Sequence, residues 1–149
     1  MQNFVELLKD HALILAATQS LTAITRSGEC RPEAAFDMVR RLARLLDMHL
    51  RAEAEFLEAD RDNGHNDFSA LAREHGDRFD DLVQEWGIYL REWNQDNIAT
   101  DWATFVWATD WMVERLNEQV EAENQSLYPS ALRYGLIRLL PEGTRAATR

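Results

Sequence analysis

The sequence has little of what interrupts or cross-links a protein chain. Its 149 residues include one cysteine, three prolines and six glycines. The single cysteine, Cys30, has no second cysteine with which to form an internal disulfide. Alternating strand patterns are also missing, whereas apolar side chains recur with a period of 3.6 residues almost throughout. The sequence therefore predicts an all-α protein.

Positive charge is scarce as well, because 16 Lys and Arg residues stand against 26 Asp and Glu residues, for a net charge of −10. Phosphate binding depends largely on Lys and Arg, so we expect neither nucleic acid nor an anionic membrane surface as a partner. No tract of about 18 apolar residues could span a bilayer. The N-terminal stretch lacks the basic region of a secretory signal, and we expect a soluble, cytoplasmic protein.

Motifs of common enzyme classes are missing too. The sequence has no nucleophile elbow, no glycine-rich phosphate loop and no CxxC pair. Hydrolase and nucleotide chemistry therefore have no support in the sequence.

The periodic stretches predict four helices of about 25 residues and a short fifth one. They cover residues 2–26, a second helix from Pro32, a third from near Phe68, a fourth from Thr100 to Tyr128, and residues 131–140. Short polar connections between long helices favour an antiparallel, up-down-up-down four-helix bundle. We expect one domain over residues 1–140 and a disordered tail over residues 141–149.

The second helix carries two polar residues on its apolar face. His49 and Glu53 are four residues apart and therefore lie on one side of the helix, in line with Leu46 and Phe56. An unpaired, ionised carboxylate among apolar side chains would cost several kcal/mol. Something must therefore compensate the charge of Glu53.

The other helices carry polar residues at the same height. Counting roughly 15 residues from His11 to the first turn and roughly 17 from that turn to His49 makes this pair level in an antiparallel bundle. The same count brings His75 level with Glu53 and with Gln119, and places Glu123 one turn away. Any one of these histidines alone is explained by a hydrogen-bonded core residue. Three histidines and two glutamates at one height predict a site for non-haem iron, manganese or zinc.

The pattern resembles the hemerythrin-like, or HHE cation-binding, family of four-helix bundles. Its ligands are one histidine on the first helix, an HxxxE on the second, a histidine on the third and a second HxxxE before an aromatic-Pro pair. The sequence shows these elements in that order as His11, HLRAE at residues 49–53, Glu74-His75, and QVEAENQSLYP at residues 119–129. The resemblance covers roughly residues 3 to 130.

The resemblance implies one iron ion held by His11, His49, Glu53 and Glu123. By the same comparison a second ion would be held by His75 and Gln119, with both carboxylates shared. Gln119 replaces the last histidine of the family pattern, so this second position would be empty, weakly occupied or filled by another metal. Phe79 stands where oxygen-carrying hemerythrins commonly have a further histidine, which argues against reversible oxygen carriage.

Three hypotheses about function follow. The first is a mononuclear or dinuclear non-haem iron protein that senses or binds O₂, NO or iron itself, with another divalent metal as an alternative. The second is a metal-free structural or protein-interaction bundle derived from the same family, which the loss of a ligand at Gln119 would favour. The third, a diiron oxidase or peroxidase, needs a complete second metal position.

Trp107 and Trp111 are four residues apart on the outer face of the predicted fourth helix. Paired exposed tryptophans often mark a protein contact surface. Either the C-terminal segment covers them or they form a homodimer interface.

Overall fold

The computed structural model describes residues 2–63, 66–141 and 143 of the chain. Its helices, in chain order, are α1 (Phe4–Thr25), α2 (Pro32–Asn63), α3 (Asn66–Glu92), α4 (Gln95–Thr100), α5 (Trp102–Ala122), a π-helical segment (Glu123–Leu127) and α6 (Tyr128–Arg133). Each of the long helices α1 and α3 packs against both α2 and α5. The predicted all-α fold with an antiparallel four-helix bundle is confirmed.

The ends of the helices are set by short polar side chains and by glycine. Asn3 caps α1, because its Oδ1 accepts a hydrogen bond from the backbone N–H of Glu6 at 2.8 Å. Asp101 caps α5. The predicted cap, Thr100, is instead the last residue of α4, a short helix that the sequence pattern did not predict and that buries Ile98.

A layer of polar side chains divides the apolar core into two clusters. The larger cluster lies toward the α1–α2 turn and includes Ile14, Leu21, Leu42, Leu46, Leu82, Trp86, Phe105 and Val120. The smaller one lies toward the chain termini and includes Leu7, Phe56, Phe68, Leu127, Tyr128, Leu136 and Ile137. In α1, for example, His11 stands between Leu7 of the smaller cluster and Ile14 of the larger one. The bundle therefore encloses the polar layer on both sides with apolar packing.

The last helix begins as a continuation of α5 and stops early. Pro129 lies in the first turn of α6, where its missing N–H costs little. A short C-terminal helix is present as predicted, but its predicted extent over residues 131–140 is wrong. Gly135 adopts a left-handed φ of 72°, and the N–H of Leu136 bonds back to the carbonyl of Ala131 at 2.9 Å, which is how such helices end.

The chain beyond α6 closes one end of the bundle. Arg138 pairs with the start of the chain through two backbone hydrogen bonds, one to Gln2 at 2.9 Å and one from Phe4 at 2.6 Å. Leu136 and Ile137 are thereby held over the smaller apolar cluster. The predicted disorder of residues 141–149 concerns a tail of which all but residues 141 and 143 lie outside the described residues.

Within the described ranges, none of the helices is long and apolar enough to cross a membrane.

Candidate metal centre

Four polar side chains from three parts of the bundle converge in the layer between the apolar clusters. His11 comes from α1, His49 and Glu53 from α2, and Glu123 from the π-helical segment. Each of these four residues is at most 3% exposed. One ligand atom from each residue lies within 4.8 Å of the corresponding atoms of the other three, so that the group could hold a metal ion.

The separations between these atoms match those of ligands that share one ion. His11 Nε2 lies 3.0 Å from His49 Nε2 and 2.8 Å from Glu123 Oε1. His49 Nε2 lies 3.0 Å from Glu53 Oε1 and 3.4 Å from Glu123 Oε1. Metal–ligand bonds of about 2.1 Å place neighbouring ligand atoms about 3.0 Å apart at right angles and about 3.4 Å apart at tetrahedral angles. These four separations are therefore compatible with ligands of one ion, and they are also hydrogen-bond distances.

Each imidazole ring has a polar neighbour on its outer side, and the contact is a hydrogen bond for His11 but only an ion-pair distance for His49. His11 Nδ1 lies 2.7 Å from Asn124 Oδ1, an oxygen that only accepts, so Nδ1 carries the proton. His49 Nδ1 faces Asp10 Oδ2 at 3.6 Å. In each ring Nε2 is therefore the nitrogen that presents either a further proton or a lone pair to the centre. Outer partners of this kind orient histidine ligands in metal sites.

The clustered residues shift one another's pKa values. Burial opposes a charge on His49, but contacts with Asp10, Glu123 and Glu53 outweigh burial and raise the pKa of His49 to about 12. Burial and the nearby charge of Glu123 raise the pKa of Glu53 well above its ordinary value. Burial alone would raise the pKa of Glu123 too, yet hydrogen bonds with Glu53, His11 and His49 hold it below its usual range. Without a metal, bound protons are thus favoured because they offset the negative charge of the carboxylates. A bound cation would offset the same charge in their place.

Two buried atoms of the layer, His49 Nδ1 and Glu53 Oε2, have no hydrogen-bond partner among the described residues. Glu53 is fully buried, and its Oε2 accepts no hydrogen bond among the described residues. A buried acceptor left without a donor costs about 1–3 kcal/mol. A metal ion bound by both oxygens of Glu53 would satisfy this atom, so the donor set fits a cation.

The other two predicted site residues lie beside the cluster. Buried His75 places its Nε2 3.0 Å from Ser126 Oγ, and burial and the positive charge of Arg78 lower the pKa of His75. Gln119 Nε2 donates to Glu123 Oε2 at 2.7 Å. The structure therefore brings together four of the six predicted ligands, with Gln119 as a hydrogen-bond partner of one of them, and leaves His75 apart.

Sequence reasoning missed three residues that contact the cluster. Asp10 and Asn124 lie behind the two imidazoles, and each directly precedes or follows a predicted ligand in the sequence. Tyr128 was noted only as part of the aromatic-Pro pair that ends the family pattern, yet its Oη lies inside the cluster. No α-helical spacing relates Tyr128 to Glu123, so periodicity gave no signal for it.

The family model of the hemerythrin HHE cation-binding domain matches residues 3–131. The chain belongs to this family. The matched range of the hemerythrin domain includes all four clustered residues and ends within α6. No curated protein and no solved structure matches this hemerythrin-domain chain.

Proposed function

We propose that this hemerythrin domain binds one non-haem iron ion and uses it to sense or bind O₂, NO or iron itself. The ligands would be His11, His49, Glu53 and Glu123. The observation that carries the proposal is the 3.0 Å approach of the Nε2 atoms of His11 and His49, beside the buried carboxylates of Glu53 and Glu123. Imidazole with carboxylate is a donor set of non-haem iron. Two carboxylates would also balance the charge of a divalent ion.

A single ion is favoured over two by the surroundings of Glu123. In a dinuclear site its Oε2 would face the second metal, but here Gln119 Nε2 donates a hydrogen bond to that oxygen. His75 Nε2, the remaining nitrogen for a second ion, is engaged with Ser126. The residues that would hold a second ion, Gln119 and His75, are thus engaged in hydrogen bonds instead.

A cleft between α2 and α3 lies beside the helix residues that neighbour the site, although the four buried ligands are not part of its lining. It encloses about 530 Å³ and is lined in part by the small residues Ala54, Ala72 and Gly76. These residues adjoin Glu53 and His75 in the sequence or lie one helical turn away. A methyl group added at Gly76 would meet nothing within 4 Å, which shows how open this wall is.

The decisive experiment is elemental analysis and visible spectroscopy of freshly purified protein grown with added iron. We expect iron close to one ion per chain and a strong reduction in Glu53→Ala. Iron that is absent, or equally abundant in Glu53→Ala, would refute the proposal.

A metal-free interaction module is the second candidate, and the closure of Glu123 by Gln119 is the observation in its favour. In that case protons would satisfy the layer in the cell. A strong chelator would then leave the melting temperature of the purified protein unchanged, whereas removal of a bound metal lowers it.

A further inference from the structure

The π-helical segment changes which residues share a face at the end of the bundle. Its backbone N–H of Tyr128 bonds to the carbonyl of Glu123, five residues earlier. In an α-helix, residues five apart point about 140° away from each other. In a π-helix the bond from residue i to i+5 places them on the same side. Tyr128 therefore points toward the same centre as Glu123.

The phenol oxygen of Tyr128 contacts all four clustered ligand atoms. Oη lies 2.8 Å from Glu53 Oε1, 2.9 Å from His11 Nε2, 3.1 Å from His49 Nε2 and 3.3 Å from Glu123 Oε1. These separations are those expected of a further ligand about 2.1 Å from the same ion. Tyr128 is also fully buried.

A hydroxyl group can form too few hydrogen bonds to engage every polar neighbour at this position. Tyr128 Oη can donate one hydrogen bond and accept at most two, yet four polar atoms surround it within 3.3 Å. A cation at the centre would instead attract all five atoms at once.

Packing of the ring holds the oxygen in place. The ring stacks on His11 with centroids 5.0 Å apart and meets the rings of Phe4 and Phe56 edge-on at 6.4 Å and 6.1 Å. The ring thus has aromatic neighbours from both α1 and α2. This packing holds the phenol oxygen in one position before any metal binds, as a metal ligand requires.

We infer that Tyr128 is a fifth protein ligand of the metal, bound through its phenolate oxygen. The inference rests on the proposed function, because it requires an ion in the cluster. As the bond from Oη to the metal forms, the phenolic O–H bond breaks and its proton is released to solvent. No oxidant or reductant takes part. With two carboxylates and one phenolate, three negative charges surround the ion, which matches ferric iron.

The test uses the full chain loaded with ferric iron as its citrate complex and then freed of excess iron. Ferric phenolate complexes have an intense charge-transfer band in the visible region, and resonance Raman excitation in that band enhances tyrosine ring modes. We expect both signals in the wild-type protein and neither in Tyr128→Phe, which keeps the ring. The same variant should retain iron at least about 10-fold less tightly against a chelator, because losing even an outer partner of a ligand costs about 10- to 100-fold in affinity.

Tyr89→Phe is the matched control, because Tyr89 is also buried and its hydroxyl bonds to Thr109 at 2.7 Å outside the cluster. This variant should keep the band. Iron content, measured separately, distinguishes the two proposals. Wild-type protein that binds no iron overturns both. Iron bound without the band, or with a band that persists in Tyr128→Phe, overturns the role of Tyr128 and leaves the proposed function standing.

Discussion

Glu53→Gln should separate metal binding from folding. Glutamine has nearly the shape of a protonated glutamate, and burial together with the charge of Glu123 raises the pKa of Glu53. Without metal, we therefore expect the variant to melt close to the metal-free wild type. With metal, the variant lacks one of the two carboxylates that balance the charge of the ion.

The size of the effect follows from linkage and charge. A free metal concentration of 100 times Kd stabilises the folded wild type by about 2.7 kcal/mol. For a chain of this length, that raises Tm by about 5–11 °C. An uncompensated charge in a buried site costs several kcal/mol, which corresponds to at least about a 100-fold loss of affinity. At the same metal concentration the variant would then gain only about 0.4 kcal/mol, or about 1–2 °C.

The assay is a thermal melt followed by circular dichroism, with chelator and then with increasing ferrous iron under anaerobic conditions. Glu58→Gln is the control, because Glu58 is an exposed carboxylate on the same helix, and it should respond to metal as the wild type does. An equal rise of Tm in wild type and Glu53→Gln would refute the assignment of Glu53 as a ligand. A Glu53→Gln variant that melts far below the metal-free wild type would contradict the expectation that the two metal-free proteins have similar stability.

Three further predictions concern residues outside the four-residue cluster. Gln119→His restores an imidazole beside Glu123 and should raise the iron content per chain in elemental analysis; an unchanged content would show that the second position is closed for another reason. Burial and Arg78 lower the pKa of His75, so its contribution to stability is present above the unfolded histidine pKa of about 6.5 and is lost as the pH falls. In urea melts with chelator, wild type should therefore lose more stability than His75→Gln between pH 7.5 and pH 5, and equal losses would contradict this. Trp107 and Trp111 are 71% and 44% exposed, and if they hold a homodimer, Trp107→Lys should convert a dimer into a monomer in analytical ultracentrifugation; a wild-type monomer would exclude that interface.

The fold and the height of the polar layer could be predicted because both depend on helical periodicity. Long amphipathic stretches joined by short connections leave few arrangements other than an antiparallel bundle. Within it, counting residues from each turn is enough to place His11 level with His49. The structure indeed brings these two nitrogens within 3.0 Å. That these residues bind a metal stays a prediction.

Features that depart from regular α-helix could not be predicted in this way. The π-helical segment shifts the phase of every residue after Glu123, and this shift alone turns Tyr128 inward. The early end of α6 depends on the left-handed conformation of Gly135. His75 shows a different limit of counting residues, because two residues at the same height in the bundle need not be in contact. Its Nε2 lies against Ser126 Oγ and not in the cluster.

The π-helical segment also means that residue spacing and the type of helix together decide which side chain reaches the centre. Such a segment is equivalent to one extra residue in an α-helix. Deleting a single residue between Glu123 and Tyr128 would remove this segment and leave the tyrosine four residues after Glu123, which in a regular α-helix is again the same face. The HxxxE-type spacing before it would be untouched. Relatives with the same ligand motif and one residue fewer in this turn would therefore place the same aromatic residue over the cluster from a regular α-helix.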